Sequence, residues 1–433
     1  MQFGSGRGTF YAMYAPQLSP SGDGAGSRPP VAVSPVSPET APYRAAFQQL
    51  FEGATERFDL RFWNGEVMSF GGSGPPEFTV VFKDKRALLA LDEASLGETF
   101  IAGYWDVEGE GRGAFGLRKY ITAKAQPLSA AALLGRIFLV ADRKNNAEAI
   151  AAHYSLGDDF YLTFIDKKYR IYSHGHFRHP EESLEDSEEH KLQDMFDMLQ
   201  LKPGMRLLDI GGGWGPVPQF CGERGVKVTS VTLAKDSHAY ITRLIKERNL
   251  PCEVLLTDYL EYQPPEPFDA LVIYGVIEHI PQYKRFIQKV YRDLKPGGLM
   301  YLDASASRFK YDMNPVAKKY IWPTTTAYLS THDLIAELNY NGMDLLELKN
   351  ESYDYELTML HWSRRFEAAK DFIVGKWGEK LYRMFRIYLW SGHIGFRDDR
   401  LQAYRMLIRR GTNGPGPRPG LFKRMIYSAT GPY

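Results

Sequence analysis

"MRLLDIGGGWG", residues 205–215, runs from a short apolar stretch straight into three glycines. A strand buried on both faces reads as a nearly unbroken apolar run. Glycines at its carboxyl end let the backbone turn sharply and come close to a ligand. That placement belongs to the ligand crevice of a doubly wound α/β sheet. Working outward, strand signals alternate with helical ones, as in a parallel sheet with crossover helices. "VKVTSVTL" (226–233), "CEVLLTD" (252–258) and "FDALVIYGV" (268–276) are the next three strands, and "LKPGGLMYLDASAS" (294–307) enters a fifth after a Pro-Gly-Gly turn. Residues 363–389 place Phe366, Ile373, Trp377, Leu381, Met384 and Tyr388 at three-, four- and seven-residue steps, which predicts one long amphipathic helix.

Upstream the composition changes. Residues 1–40, with "SPSGDGAGSRPPVAVSPVSPET" (19–40), lack apolar periodicity and are expected to form a disordered tail. "YRAAFQQLFEGATERF" (43–58) is helical in spacing, "FTVVF" (78–82) is a strand, and "DKRALLALDEASLGETFIAGYWDVEG" (84–109) predicts a helix and turn. This gives a small α/β accessory domain over 41–125, a linker over 126–150, and the larger domain over 151–433. A length of 433 residues fits two cores better than one. Lys+Arg 53 against Asp+Glu 52 leaves a net charge of +1, so no whole-chain field draws in nucleic acid. Two cysteines, Cys221 and Cys252, are too few for a disulfide framework and sit in no charge-rich motif, so they are expected as buried fillers. No run reaches the roughly 18 apolar residues of a membrane span, and the first residues lack a signal-peptide pattern. A cytoplasmic enzyme with at most peripheral membrane contact is expected. The 27 Tyr, 25 Phe and 7 Trp suit either a large apolar cavity or an ordinary Tyr-rich core.

Three features separate the glycine loop from a dinucleotide cradle, favouring a methyltransferase over an oxidoreductase. Gly211 and Gly213 are followed by Trp214 rather than completing G-x-G-x-x-G. The second strand ends in "VTL", with no acidic ribose partner. "TDYLEY" follows the third strand, where Asp258 can accept from an adenine amino group. Asp209 closes the first strand, where it can brace the loop or accept from an ammonium. An S-adenosylmethionine site asks for this set: a close glycine loop, polar ribose contacts and an adenine slot.

"HYSLGDDFYLTFID" (153–166), "YSHGHF" (172–177), "LKPGMRLLDIGGGWG" (201–215), "SVTLAKD" (230–236), "GVIEHIPQYKRF" (275–286), "LKPGGL" (294–299) and "YDYELTMLHWSRRF" (353–366) occur in that order. Together they resemble the cyclopropane fatty acid synthase family, which includes the mycolic acid methyltransferases. The resemblance runs from about residue 150 to the end, and the N-terminal unit is similar to the accessory domain of the longer, phospholipid-acting members. It implies a Rossmann-like S-adenosylmethionine-dependent C-methyltransferase with acyl-chain-binding helices, acting on the double bond of unsaturated acyl chains of phospholipids. It also implies visits to the inner face of the bilayer, for which a homodimer would be suited. Basic residues beside apolar ones in "YRMLIRRG" (404–411) and "LFKRMIYSATGPY" (421–433) are a candidate footing on anionic lipid. The resemblance places the donor at Tyr172, Ser173, Gly211, Gly213, Thr232, Leu233, Asp258 and Tyr259, with His279 shaping the pocket and Ser237 where the family usually has Gln.

In the resembled family a bound bicarbonate removes the proton, held by a Cys, a Glu, a His and a Tyr. Carried over position by position, Glu278 and Tyr355 match, whereas His174 stands at the Cys position and Asp303 at the His position. Ser305 replaces a residue that is usually aliphatic. Either a buried Asp303–His174–Glu278 cluster accepts the proton itself, or an anion site persists with rearranged partners. The product is then a cyclopropane, or a methylene- or methyl-branched chain. The run His174, His176, His179 shows no third ligand for a metal and the family uses none, so no metal is expected. His176 replaces a usually aromatic residue, and His179 is expected on a surface loop. A methyltransferase of a soluble small molecule and a non-catalytic lipid- or donor-binding protein are the competing readings.

Overall fold

The computed structural model describes residues 37–89, 91–123, 156–280, 282–308, 314–322, 326–412, 414–416 and 420. Four strands, β1 (Phe58–Arg61), β2 (Val67–Phe70), β3 (Phe78–Phe82) and β4 (Trp105–Gly109), form an N-terminal sheet in the order β2-β1-β3-β4. The five strands read from the sequence are β5 (Arg206–Ile210), β6 (Lys227–Thr232), β7 (Glu253–Leu256), β8 (Phe268–Tyr274) and β9 (Leu294–Ala306), all parallel. Two antiparallel strands, β10 (Met343–Asn350) and β11 (Gln402–Arg410), complete the order β10-β11-β9-β8-β5-β6-β7. The chain leaves β5 first toward β6 and β7, then returns to β8 on its other side. The switch puts the crevice beyond the carboxyl ends of β5 and β8.

β11 corrects the membrane reading of residues 404–411. Its backbone pairs with β9 from Gln402↔Ala306 to Arg409↔Leu299, and Met406 and Ile408 are fully buried. The second proposed footing, 421–433, lies outside the described residues, as do 1–36 and the linker 126–150. The long helix expected over 363–389 is instead three: Ser352–Ala368, Lys370–Trp377 and Glu379–Arg397. Gly378, at φ 87° and ψ 158°, leaves the helical region and separates the last two.

In the N-terminal unit the helix Ala41–Leu50 ends before Gly53 (φ 76°), so the second half of "YRAAFQQLFEGATERF" turns into β1. Residues 37–40, read from the sequence as part of the tail, pack against this unit. The Ser37 amide and the Thr40 hydroxyl both donate to Glu66, at 3.0 and 2.7 Å. Asp92 caps the helix Glu93–Ile101 by accepting from the Ser95 amide at 2.9 Å. The unit's core of Phe47, Phe58, Phe82, Phe100 and Trp105 is closed by Trp390 and Ile394 from the helix Glu379–Arg397. A core Trp is worth about 3–5 kcal/mol against Ala, so that helix holds the unit in place. Arg383 and Arg386 of the same helix both pair with Asp106 of β4. Close approach is also built in at Gly97, where a Cβ would lie 2.5 Å from Val316 Cγ2. No helix among the described residues is long and apolar enough to cross a membrane.

Candidate active site

At the end of β5 the backbone passes through positive φ at Gly211 (104°), Gly212 (33°), Gly213 (50°) and Gly215 (79°). A Cβ on Gly211 would meet Val276 Cγ2 at 2.3 Å, whereas one on Gly213 would meet nothing within 4 Å. The loop is thus pressed against the end of β8 on one side and open on the other, which fits a bound nucleoside. Asp209 braces it: the Ser230 hydroxyl donates to Oδ2 at 2.7 Å, and burial pushes the carboxyl up to about 7. Ser237 donates to the Gly213 carbonyl at 2.5 Å, fixing the loop from the first turn of the helix Lys235–Glu247. Thr232 ends β6 and accepts from the Ala234 amide at 3.2 Å, next to half-buried Leu233. Asp258 follows β7, half-exposed, and accepts from the Leu260 amide at 2.8 Å. Tyr259 is buried, edge-on to Phe286 at 5.8 Å with Lys289 4.9 Å from its ring centre.

A cavity of about 800 Å³ lies between the two sheets. Phe47, Phe51, Leu60, Val80 and Phe82 of the N-terminal unit wall one part, and Tyr172, Gly275, Glu278, His279 and Tyr355 wall another. Because Gly275 and Val276 are adjacent, the glycine loop and the cavity meet at the end of β8. Tyr172 stacks on Trp362 with centroids 5.2 Å apart, and Tyr355 stacks on Phe396 at 4.3 Å. His279 bonds to the Thr326 hydroxyl at 3.0 Å, and burial pulls its pKa down to about 4, so it stays neutral.

Glu278 sits in the turn Ile277–His279 with one oxygen committed. Oε1 accepts from the Ser305 amide at 2.8 Å and its hydroxyl at 2.7 Å. Oε2 is buried and has no hydrogen-bond partner among the described residues. Burial pushes the carboxyl up to about 7, opposed by the two Ser305 bonds.

The expected Asp303–His174–Glu278 cluster is not joined by hydrogen bonds. Asp303 is fully buried, pairs with the equally buried Lys191, and accepts from the Gly275 amide at 3.0 Å. Lys191 also donates to the Ser173 hydroxyl at 2.6 Å and the His174 carbonyl at 2.7 Å, so one cation gathers Asp303 and the Ser173–His174 loop. His174 is absent from the cavity wall and turns to Glu351, with Nε2 to Oε2 at 3.0 Å. His176 reaches the same oxygen at 3.1 Å through Nε2, and its Nδ1 faces Asp194 Oδ2 at 2.8 Å. Glu351 is therefore the third metal-capable group that the H-x-H spacing alone lacked, while His179 is exposed as expected. Lys191 and Glu351 escape sequence reading. Lys191 lies in the charge-rich "SEEHKLQD", which looks like a solvated helix face, and Glu351 follows β10, far along the chain from its histidines.

Among known proteins, a family model described as "Mycolic acid cyclopropane synthetase" matches residues 141–406, more than half of the chain. The cyclopropane-fatty-acyl-phospholipid synthase of Escherichia coli strain K12 is 29% identical over 359 residues, covering 79% of this chain and 90% of that protein. The sphingolipid C9-methyltransferase of Komagataella phaffii is 27% identical over 303 residues, covering 65% and 62%. Among solved structures, the mycolic acid cyclopropane synthase CmaA1 complexed with SAH and CTAB superposes with a TM-score of 0.57 at 24% identity, covering 62% of this chain and 99% of that one. That likeness establishes the shared fold.

Proposed function

The chain belongs to the mycolic acid cyclopropane synthetase family, and from that premise we propose that it methylates the double bond of unsaturated acyl chains in membrane phospholipids. It is an S-adenosylmethionine-dependent methyltransferase of that family acting on lipids. The observation carrying the finer reading is the cavity of about 800 Å³, more apolar than polar in its walls, that Glu278 lines with a second oxygen lacking a hydrogen-bond partner among the described residues. A hydrocarbon tail suits its Phe, Leu and Val walls, and a dry pocket shields a developing cation from water. Aromatic faces at Tyr172, Tyr355 and Trp362 line the same space and stabilise positive charge without quenching it.

The donor would be held by Gly211 and Gly213, with Asp209 and Ser237 keeping the loop in shape and Thr232, Leu233 and Asp258 at its rim. When bound, it supplies an electrophilic methyl group. Glu278 then accepts the proton that the methylated chain must lose, at Oε2, while Ser305 holds Oε1. A bicarbonate does not fit these residues: the Asp303 carboxylate occupies one of its expected contacts, already neutralised by Lys191, and His174 is turned away to Glu351. The base is accordingly the protein's own carboxylate. Loss of a proton from the added methyl beside the first-formed cation closes the ring, whereas the same loss after a 1,2-hydride shift onto that cation leaves a methylene branch. Bilayer contact is assigned to exposed Phe372, flanked by Lys370 and Lys376 on the helix Lys370–Trp377.

The test is incubation of the full chain with labelled S-adenosylmethionine and vesicles of one defined mono-unsaturated phospholipid, with the acyl product identified by mass and NMR. A gain of one carbon at the former double bond is expected. Donor binding without label in lipid would refute the reading.

A further inference from the structure

We infer that His174, His176 and Glu351 form a binding site for a divalent transition cation of the zinc class, tying the loop 171–177 to the junction of β10 with the helix Ser352–Ala368. This site lies outside the cavity lining and does not depend on the proposed donor or acceptor. The His174 and His176 Nε2 atoms stand 3.0 and 3.1 Å from one oxygen, Glu351 Oε2. Ligands around a tetrahedral zinc, each about 2.0–2.1 Å from the metal, stand about 3.4 Å apart, so a slight opening of the triad admits the ion. All three side chains are essentially inaccessible to solvent, with side-chain exposures of 1%, 2% and 0%.

The surroundings are those of a supported site. A metal-bound histidine usually gives its other nitrogen to a carboxylate, which fixes the ring; His176 Nδ1 does so with Asp194 Oδ2 at 2.8 Å. Glu351 Oε1 is taken by Lys349 at 3.2 Å and Arg405 at 3.5 Å, leaving Oε2 as a one-oxygen ligand. The Tyr301 hydroxyl, 3.5 Å from His176 Nε2, brings an oxygen near the fourth position. Two imidazoles and a carboxylate suit zinc, cobalt or nickel better than magnesium or calcium. The ion's role is structural. The His174 ring lies 4.9 Å from the Tyr355 ring and Tyr172 is two residues away, so the triad braces two residues that line the cavity without lining it itself.

The full chain, made without a histidine tag, should carry about one zinc-class ion by mass spectrometric metal analysis. Content should fall at least tenfold in His176→Ala and Glu351→Gln, and stay unchanged in the exposed His179→Ala. Asp194→Asn should weaken affinity about 10–100-fold. Because the ligand variants can fail to fold, the wild-type protein is also stripped with chelator and titrated with Co2+. Tetrahedral visible absorption bands and a rise in melting temperature are expected. Absence of metal as isolated, together with no Co2+ bands and no thermal shift, overturns the inference and leaves a proton-held triad. Full metal content in a folded His176→Ala overturns it equally.

Discussion

Ser305→Ala tests whether Glu278 is the base. The Ser305 hydroxyl donates to Glu278 Oε1 at 2.7 Å, while the Ser305 amide at 2.8 Å survives the substitution. A hydrogen bond to a charged group is worth about 1.5–3 kcal/mol, and about 1.4 kcal/mol corresponds to one pH unit. Removing it from a carboxyl already raised to about 7 by burial should move that group up by about 1–2 units. A base must be ionised to accept a proton, so turnover rises with pH through its pKa. The acid limb of the rate profile, measured as label transferred to vesicle lipid, should lie near pH 7 in the wild type and move upward in Ser305→Ala. Ser305→Thr, which keeps the hydroxyl, should restore it. A second readout is stability. The rise from 4.5 to about 7 means that the folded state loses about 3 kcal/mol as pH climbs through that window. Glu278→Gln should therefore be inactive yet gain stability relative to wild type above pH 7, with no gain below the ordinary carboxyl range. An acid limb that ignores Ser305→Ala, or a Glu278→Gln protein that still methylates lipid, would refute the assignment.

Lys191→Met leaves Asp303 without its buried partner and should cost about 3–5 kcal/mol in denaturant unfolding, most of it recovered in Lys191→Met with Asp303→Asn. Gly211→Ala puts a Cβ 2.3 Å from Val276 Cγ2 at φ 104°, and calorimetry should show at least about tenfold weaker donor binding, equivalent to about 1.4 kcal/mol. Val80→Trp fills part of the cavity from the N-terminal sheet, so competition between vesicles of longer and shorter mono-unsaturated chains should shift toward the shorter. Phe372→Asp should reduce vesicle sedimentation without changing donor affinity.

The parallel half of the sheet was legible because its strands are covered on both faces and announce themselves as apolar runs, as in "RLLDI" and "FDALVIY". β10 and β11 were not. "MDLLELKN" is exposed over most of its length, and the alternation of basic and apolar residues in β11 fits a surface helix as well as a strand until β9 is known to lie beside it. In the site, the positions of Glu278 and Tyr355 were readable from motif spacing, and both line the cavity. Their electrostatic company was not. Asp303 and His174 look like members of one cluster in sequence, but each is claimed by a charge supplied from another element, Lys191 and Glu351. Nor was the packing of Tyr259 readable: an aromatic after a strand gives no sign in sequence that it meets Phe286 of a neighbouring helix.

The glycine loop and the far wall of the cavity belong to different sheets, joined through the helix Glu379–Arg397 and through Val316 packed on Gly97. On the proposed function, methyl-donor chemistry and tail selection would therefore drift separately: substitutions at Leu60 or Val80 would retune which lipids are modified while the transferase machinery stays intact. A split protein, by contrast, would leave Trp390 facing water and each half wanting the other's lid.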